Sequence, residues 1–307
     1  MSSPQTPAAP LRVGLIGLGV MGRPMGLNLR QAGFPLVVWA RNPERAAPLL
    51  AAGAQWAATP AALAAQVDVV ITIVTTGDDV CGLVQGNAAW PGLREGLAAE
   101  AVHVDMSTIP PATARQLAAD WALQGVAFVD APVSGGEQGA INATLAIMAG
   151  GQADTLARLR PLFMALGKTL VHVGDAGAGQ VAKMCNQHIM VSAIQAAAEA
   201  LHLVNAAGVD PGRVRAALAG GSAGSRVLDV MGERMVARDF AAGIEARLHH
   251  KDFAIVLEAA RQQGVPLLLA AQVWQQLNAL MGQGWGKQDT SSLLRVLEAQ
   301  DGIERAG

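Results

Sequence analysis

Seven short apolar runs, VGLIG, LVVWA, VDVVITIV, AVHVDM, VAFVD, TLAIMAG and TLVHVG, recur between Leu11 and Gly174, separated by segments with helix-like spacing. Such runs have no polar face, so as strands they must be covered on both sides. Strands of this kind alternating with helices imply βα units, wound into a largely parallel sheet with helices on both faces. A composition that is 51% apolar over 307 residues supplies enough core for that architecture and for a second domain.

After Gly179 the texture changes. Gln180 to Ala207 holds no proline or glycine and keeps helical spacing, and the helix-like segments beyond it are broken by glycines, with no strand-like alternation. The boundary is expected in GDAGAG, residues 174–179. The predicted organisation is a loose leader over residues 1–10, an α/β domain over 11–176, and an all-α domain over 177–307 that opens with a long interdomain helix.

Charge narrows the function classes. Lysine, arginine, aspartate and glutamate make up 15% of the chain, against roughly 25% in an average globular protein, and the formal net charge is -2. No basic stripe is present to neutralise phosphates, so nucleic acid is not an expected partner. Cys81 and Cys185 are the only cysteines, too few for a disulfide framework or a zinc site. The uncharged leader has no apolar h-region, and no stretch of 18 residues is free of polar groups, so neither a signal peptide nor a membrane span is read. A cytoplasmic location is the expectation.

VGLIGLGVMG places Gly17, Gly19 and Gly22 as G-x-G-x-x-G directly after the first strand, with Leu18, Val20 and Met21 completing the loop. The first glycine permits a tight turn, the second lets backbone approach a pyrophosphate, and the third lets helix and strand pack closely. Packing alone also produces glycine-rich turns, but at the start of a βαβ unit the spacing favours an α/β Rossmann-type doubly wound domain that binds a dinucleotide. An NAD enzyme usually has an acid about 20 residues on, at the end of the second strand. Here that position reads Trp39, Ala40, Arg41, Asn42. A guanidinium can pair bidentately with a 2′-phosphate, so NADP is favoured over NAD, the alternative being that Arg41 is a solvated loop cation.

Ligands of open α/β sheets bind beyond the carboxyl ends of the strands. Thr75 and Thr76, Ser107 and Thr108, and Ser134, Gly135 and Gly136 all fall at such ends. Taken singly they read as turns or caps, with Ser107 or Thr108 capping a helix begun at Pro110 or Pro111. Together they offer side chains to a nicotinamide ribose and backbone N–H groups to a small carboxylate.

In GAGQVAKMCNQHIM, Lys183, Asn186 and Gln187 are spaced i, i+3, i+4 and share a helical face. The lysine's apolar neighbours would desolvate its charge and favour proton transfer near neutral pH; the competing reading is a lysine that snorkels to water. Hydride transfer to a carbonyl carbon with Lys183 donating the proton is the chemistry these parts allow. Asn186 would hold the substrate, with Gln187 a lesser helper. Lys251 and Asp252 form a second polar pair, whose simplest reading is a solvated surface pair. His249 and His250 are adjacent and give no metal signature, and Met231, Met235, Trp274 and Trp285 read as core or interface.

GLIGLGVMG, DMSTI, DAPVSGG, GAGQVAKMCNQ and HHKDFA occur in that order, and on them the chain resembles the β-hydroxyacid dehydrogenase family, from about Leu11 to the late 290s. The resemblance implies Lys183 as the catalytic residue, Thr108 and Lys251 in contact with the cofactor, Val74 and Thr75 beside it, and Ser134, Gly135, Gly136 and Asn186 around a small carboxylate substrate. It also implies helical domains that pack between subunits, in a homodimer or homotetramer. AGSRVLDV, DAPVSGGE and the Asn186–Gln187 pair are similar to the tartronate semialdehyde reductase branch, with 3-hydroxyisobutyrate as the runner-up substrate. Ala40 departs from the acid often found after the second strand. A non-catalytic dinucleotide-binding assembly module is the rival of another class, and retention of Lys183 with Asn186 argues against it.

Overall fold

The computed structural model describes residues 10–301, so all of the expected leader except Pro10 lies outside the described residues. The chain divides into two compact units, one ending at Lys183 and the other starting at Met184.

In the first unit the apolar runs form β1 (Val13–Ile16), β2 (Leu36–Trp39), β4 (Val69–Thr72), β7 (Val102–Asp105), β8 (Ala127–Asp130), β10 (Leu145–Gly150) and β11 (Gly167–Gly174); the short β3 (Gln55–Trp56) and β9 (Val133–Ser134) join them, while β5 (Gly86–Asn87) and β6 (Trp90–Pro91) pair only with each other. The main sheet runs in the order β11-β10-β8-β7-β4-β1-β2-β3. Strands β3 to β8 of that order are parallel; β10 pairs antiparallel with β8 and β9 and parallel with β11. The two-residue pieces were not legible in advance, since they are too short to show any period.

Helices α1 (Gly22–Gln31), α2 (Ala47–Ala51), α3 (Pro60–Ala64), α4 (Gly77–Gln85), α5 (Pro111–Ala122), α6 (Gly136–Ile141) and α7 (Ala153–Met164) cover the sheet. Alternate strand residues enter two separate cores. Leu15, Val38, Ile71, Val104 and Val129 pack with Met25, Leu29, Leu159 and Phe163 on one face. Ile16, Val37, Val70 and Phe128 pack with Leu63, Val80, Leu117 and Trp121 on the other. This two-sided burial is why the strands read as continuous apolar runs. With β2 and β4 on either side of β1, the chain order reverses at β1, and the crevice at their carboxyl ends is where such sheets bind ligands.

The second unit is helical. It takes most of α8 (Ala178–Ala206), then α9 (Pro211–Ala219), α10 (Glu233–Ala237), α11 (Ala246–Gln263), α12 (Leu268–Gly282) and α13 (Leu293–Gln300). Ile194, Ala198 and Leu201 of α8 pack with Phe253, Val273, Leu277, Leu280 and Leu293; Met235 is buried there, and Met231, Trp274 and Trp285 pack against this core. By length and composition alone helix α8 is apolar enough to cross a membrane, although polar residues such as Gln187 and Ser192 interrupt it. Its apolar residues have a use in the core just described, with 39% of its most apolar window buried.

Candidate functional site

The glycine loop between β1 and α1 assigns a separate task to each glycine. Gly17 has φ +106°, and a Cβ there would lie 2.0 Å from the Ile73 carbonyl oxygen. A Cβ on Gly22 would lie 2.0 Å from the Gly17 carbonyl oxygen, so helix and strand close up only without it. Around Gly19 a Cβ would meet nothing within 4 Å: this glycine faces the open space that a pyrophosphate would need. Helix α1 begins at Gly22 with no side-chain cap and no acid in its first turn, which leaves its N-terminus favourable to an anion. The loop therefore fits a dinucleotide.

Val74 and Thr75 follow β4 at the switch point, and a hydrogen-bond chain secures the Val74 amide. The Val74 amide donates to Ser107 Oγ at 2.9 Å, and Ser107 Oγ donates to Asp105 Oδ1 at 2.7 Å. Thr72 Oγ1 donates to the same oxygen at 2.8 Å, and lies 2.9 Å from His103 Nε2, while the Trp121 indole donates to His103 Nδ1 at 2.9 Å. That pattern assigns the proton to Nε2 of a neutral imidazole. Complete burial pushes the His103 pKa down to about 3. Ser107 is thus a brace and not a helix cap; α5 starts at Pro111 after Pro110 with no side-chain cap, which corrects the capping reading of Ser107 and Thr108. Thr108 is half-buried on the loop between them.

Arg41 stands just past β2 with its side chain 69% exposed, 3.5 Å from Asp79 Oδ1. Asp79 belongs to the box in which Thr76 caps α4. Asn42 spends its side-chain oxygen on the Glu44 amide, starting a short 3₁₀ turn.

The strands β4, β7 and β8 end in register on Thr72, Asp105 and Asp130. Ser134, Gly135 and Gly136 come next, with φ +138° at Gly135 and +62° at Gly136, conformations that suit glycine. Lys183, at the end of the first unit, is 8% exposed, and its Nζ donates to the Val133 carbonyl oxygen at 2.8 Å. The lysine does not snorkel to water; it is held beside the Ser134 turn. Two residues missed by the sequence reading share this corner. Asp130, fully buried, accepts from the Gly177 amide at 2.7 Å and the Gln180 amide at 2.8 Å. Desolvation pushes its carboxyl up to about 6 despite those two amides, and Asp105 adds to the rise. Gln180 in turn donates to the Ser107 carbonyl and accepts from the Ile109 amide, at 2.8 and 3.1 Å. Both stood inside motifs already singled out; the available signal was an acid at the end of a buried strand.

In the second unit Asn186 donates to Gln187 Oε1 at 2.9 Å, Gln187 donates to Asp252 Oδ2 at 2.5 Å, and Asp252 Oδ1 lies 2.9 Å from Lys251 Nζ. Asp252 is 6% exposed, so the pair with Lys251 is not the solvated surface pair expected. Gln187 orders this chain from a buried position. Among the described residues no cluster of histidine, cysteine, aspartate and glutamate could hold a metal ion.

Comparison with known proteins gives the context for these residues. Residues 12–174 match the NAD binding domain of 6-phosphogluconate dehydrogenase, and residues 177–297 match the NAD-binding domain of NADP-dependent 3-hydroxyisobutyrate dehydrogenase. The chain is similar to 2-hydroxy-3-oxopropionate reductase of Escherichia coli, 38% identical over 94% of this chain and 97% of that one. It is also similar to 3-hydroxyisobutyrate dehydrogenase of Pseudomonas aeruginosa, 34% identical over 94% and 99%. Among solved structures, Mycobacterium tuberculosis 3-hydroxyisobutyrate dehydrogenase with L-serine superimposes with a TM-score of 0.85 at 29% identity, covering 94% of this chain and 99% of that one.

Proposed function

Because the chain belongs to the β-hydroxyacid dehydrogenase family, a group of NAD(P)-dependent oxidoreductases, we propose that it reduces tartronate semialdehyde to glycerate. The observation that carries this reading is Lys183, a buried ammonium fixed on the Val133 carbonyl next to the Ser134–Gly136 turn. The E. coli relative is named for the same conversion, and the Asn186–Gln187 pair supports that branch. A second reading, oxidation of 3-hydroxyisobutyrate, draws on the similarity to the P. aeruginosa enzyme.

A nicotinamide held at the glycine loop would supply hydride for reduction of the aldehyde carbon. Lys183 Nζ donates the proton that the carbonyl oxygen takes up as negative charge develops there, and in the reverse direction receives it back. Backbone amides of the Ser134–Gly136 turn hold the substrate carboxylate. Asn186 lies one turn along the same helix and bonds the hydroxyl. Its amide is oriented by Gln187, and Gln187 by Asp252. Of the residues that the family resemblance assigns to the cofactor, Val74, Thr75 and Thr108 belong to the first unit and Lys251 to the second. Arg41 favours NADP, since it is the cation nearest the end of β2 and no acid stands in place of Ala40.

A cytoplasmic location rests on two free cysteines. Assembly as a homodimer or homotetramer would cover the exposed Ile189, Leu203 and Leu268. The test is oxidation of NADPH and NADH with tartronate, methylmalonate and succinate semialdehydes. Highest kcat/KM for tartronate semialdehyde with NADPH is expected; turnover of none, with cofactor binding intact, would favour the assembly module instead.

A further inference from the structure

The first turn of α8 is held by an acid at the end of β8. Within the helix, the backbone ladder opens with the Val181 amide on the Gly177 carbonyl. The amides of Gly177 and Gln180 point instead at the two carboxylate oxygens of Asp130, one each, at 2.7 and 2.8 Å. Hydrogen bonds from amides at a helix N-terminus to a buried carboxylate are charge-assisted and aligned with the helix dipole. Two glycines clear the room for this approach. A Cβ on Gly150 would lie 2.6 Å from Asp130 Oδ1, and one on Gly179 2.6 Å from the Asp130 carbonyl oxygen and 2.5 Å from that of Met148.

Three residues after the acid, the same segment meets the lysine: Val133 O accepts from Lys183 Nζ. Residues 130–133 therefore grip the helix start at two points, backbone at one and ammonium at the other. Gln180 adds a third tie, to Ser107 and Ile109, and Ser107 holds Val74 at the switch point. We infer that Asp130 is a positioning residue for Lys183: its carboxylate sets the first turn of α8 against the strand ends, so that Nζ is held where the proton is delivered.

This rests on the reading of Lys183 as the proton donor, and the test separates the two. Asp130→Asn keeps the shape and one acceptor; Asp130→Ala removes both, and if Asp130→Ala does not fold, Asp130→Asn carries the test. Three quantities are compared with the wild type: kcat and cofactor KM on the best substrate, deuterium uptake of the peptide over residues 175–183, and acylation of Lys183 by acetic anhydride mapped by mass spectrometry. Leu159→Ala, a core truncation in α7, is the control for lost stability. Displacement of a reacting group by about an ångström costs on the order of 100-fold. Asp130→Asn should accordingly lower kcat about tenfold or more, leave cofactor KM within about twofold, and speed both uptake and acylation several-fold. The control, assayed while folded, should keep its kcat. Unchanged kcat in a folded Asp130 variant overturns the inference, as does unchanged uptake and acylation. Should the wild type turn over no substrate, the functional reading falls, and uptake and acylation alone decide the role of Asp130.

Discussion

Two buried groups in the first unit titrate in opposite senses, and one substitution should expose them. Desolvation raises the Asp130 carboxyl from 3.8 to about 6, and lowers the His103 imidazole from 6.5 to about 3. For Asp130 the folded state holds its proton more tightly than the unfolded chain, so its contribution to stability falls as pH rises from about 4 to about 6. At about 1.4 kcal/mol for each tenfold difference in proton affinity, the loss is about 3 kcal/mol in all. For His103 the folded state binds its proton less tightly, so its contribution rises with pH from about 3 to about 6.5, by about 5 kcal/mol in all. Where the windows overlap the slopes nearly cancel. Asp130→Asn removes one of them. Relative to the wild type, the variant should therefore gain about 2 kcal/mol of unfolding free energy between pH 4 and pH 6.5, on top of a constant offset for the altered hydrogen bond. Other titrating groups are common to both proteins and drop out of the difference. Urea unfolding at several pH values, followed by tryptophan fluorescence, measures it; Trp39, Trp56, Trp90 and Trp121, four of the six tryptophans, report on the first unit. A difference that stays level across that range would refute the reasoning, and with it the desolvation of the Asp130 carboxyl in the folded state.

Two alanine substitutions in the glycine loop should separate folding from binding. Gly17→Ala places a Cβ 2.0 Å from the Ile73 carbonyl at a positive φ and should lower the melting temperature, whereas Gly19→Ala enters open space and should leave melting unchanged while weakening cofactor binding about tenfold or more, measured by fluorescence titration. Arg41→Ala should raise the KM for NADPH much more than that for NADH in steady-state assays; equal effects would make Arg41 a solvated partner of Asp79.

The sequence carried the architecture because the strands of this sheet are buried on both faces and the glycine spacing falls at the start of a βαβ unit. Lys183 was legible for a different reason: a lysine among apolar residues on one helical turn is a local pattern, and burial at the Val133 carbonyl agrees with it. What stayed hidden depends on register. Thr72, Asp105 and Asp130 come from three separate strands and become neighbours only when those strands pair. The Trp121–His103–Thr72 chain and the bridge from Gln180 to Ser107 join residues 18 to 73 positions apart, and no periodicity records such distances. Lys251 and Asp252 show the same limit. Adjacent opposite charges read as a surface pair until Gln187, 65 positions away, is found bonded to the acid.

The central claim is that Lys183 delivers the proton. Lys183→Ala, assayed for kcat with the best semialdehyde and for NADPH affinity by fluorescence titration, tests it most directly. The account predicts a loss of about 100-fold or more in kcat, the range expected for removing a general acid, with cofactor affinity within about twofold. A variant that binds NADPH normally and retains near-wild-type turnover would contradict it.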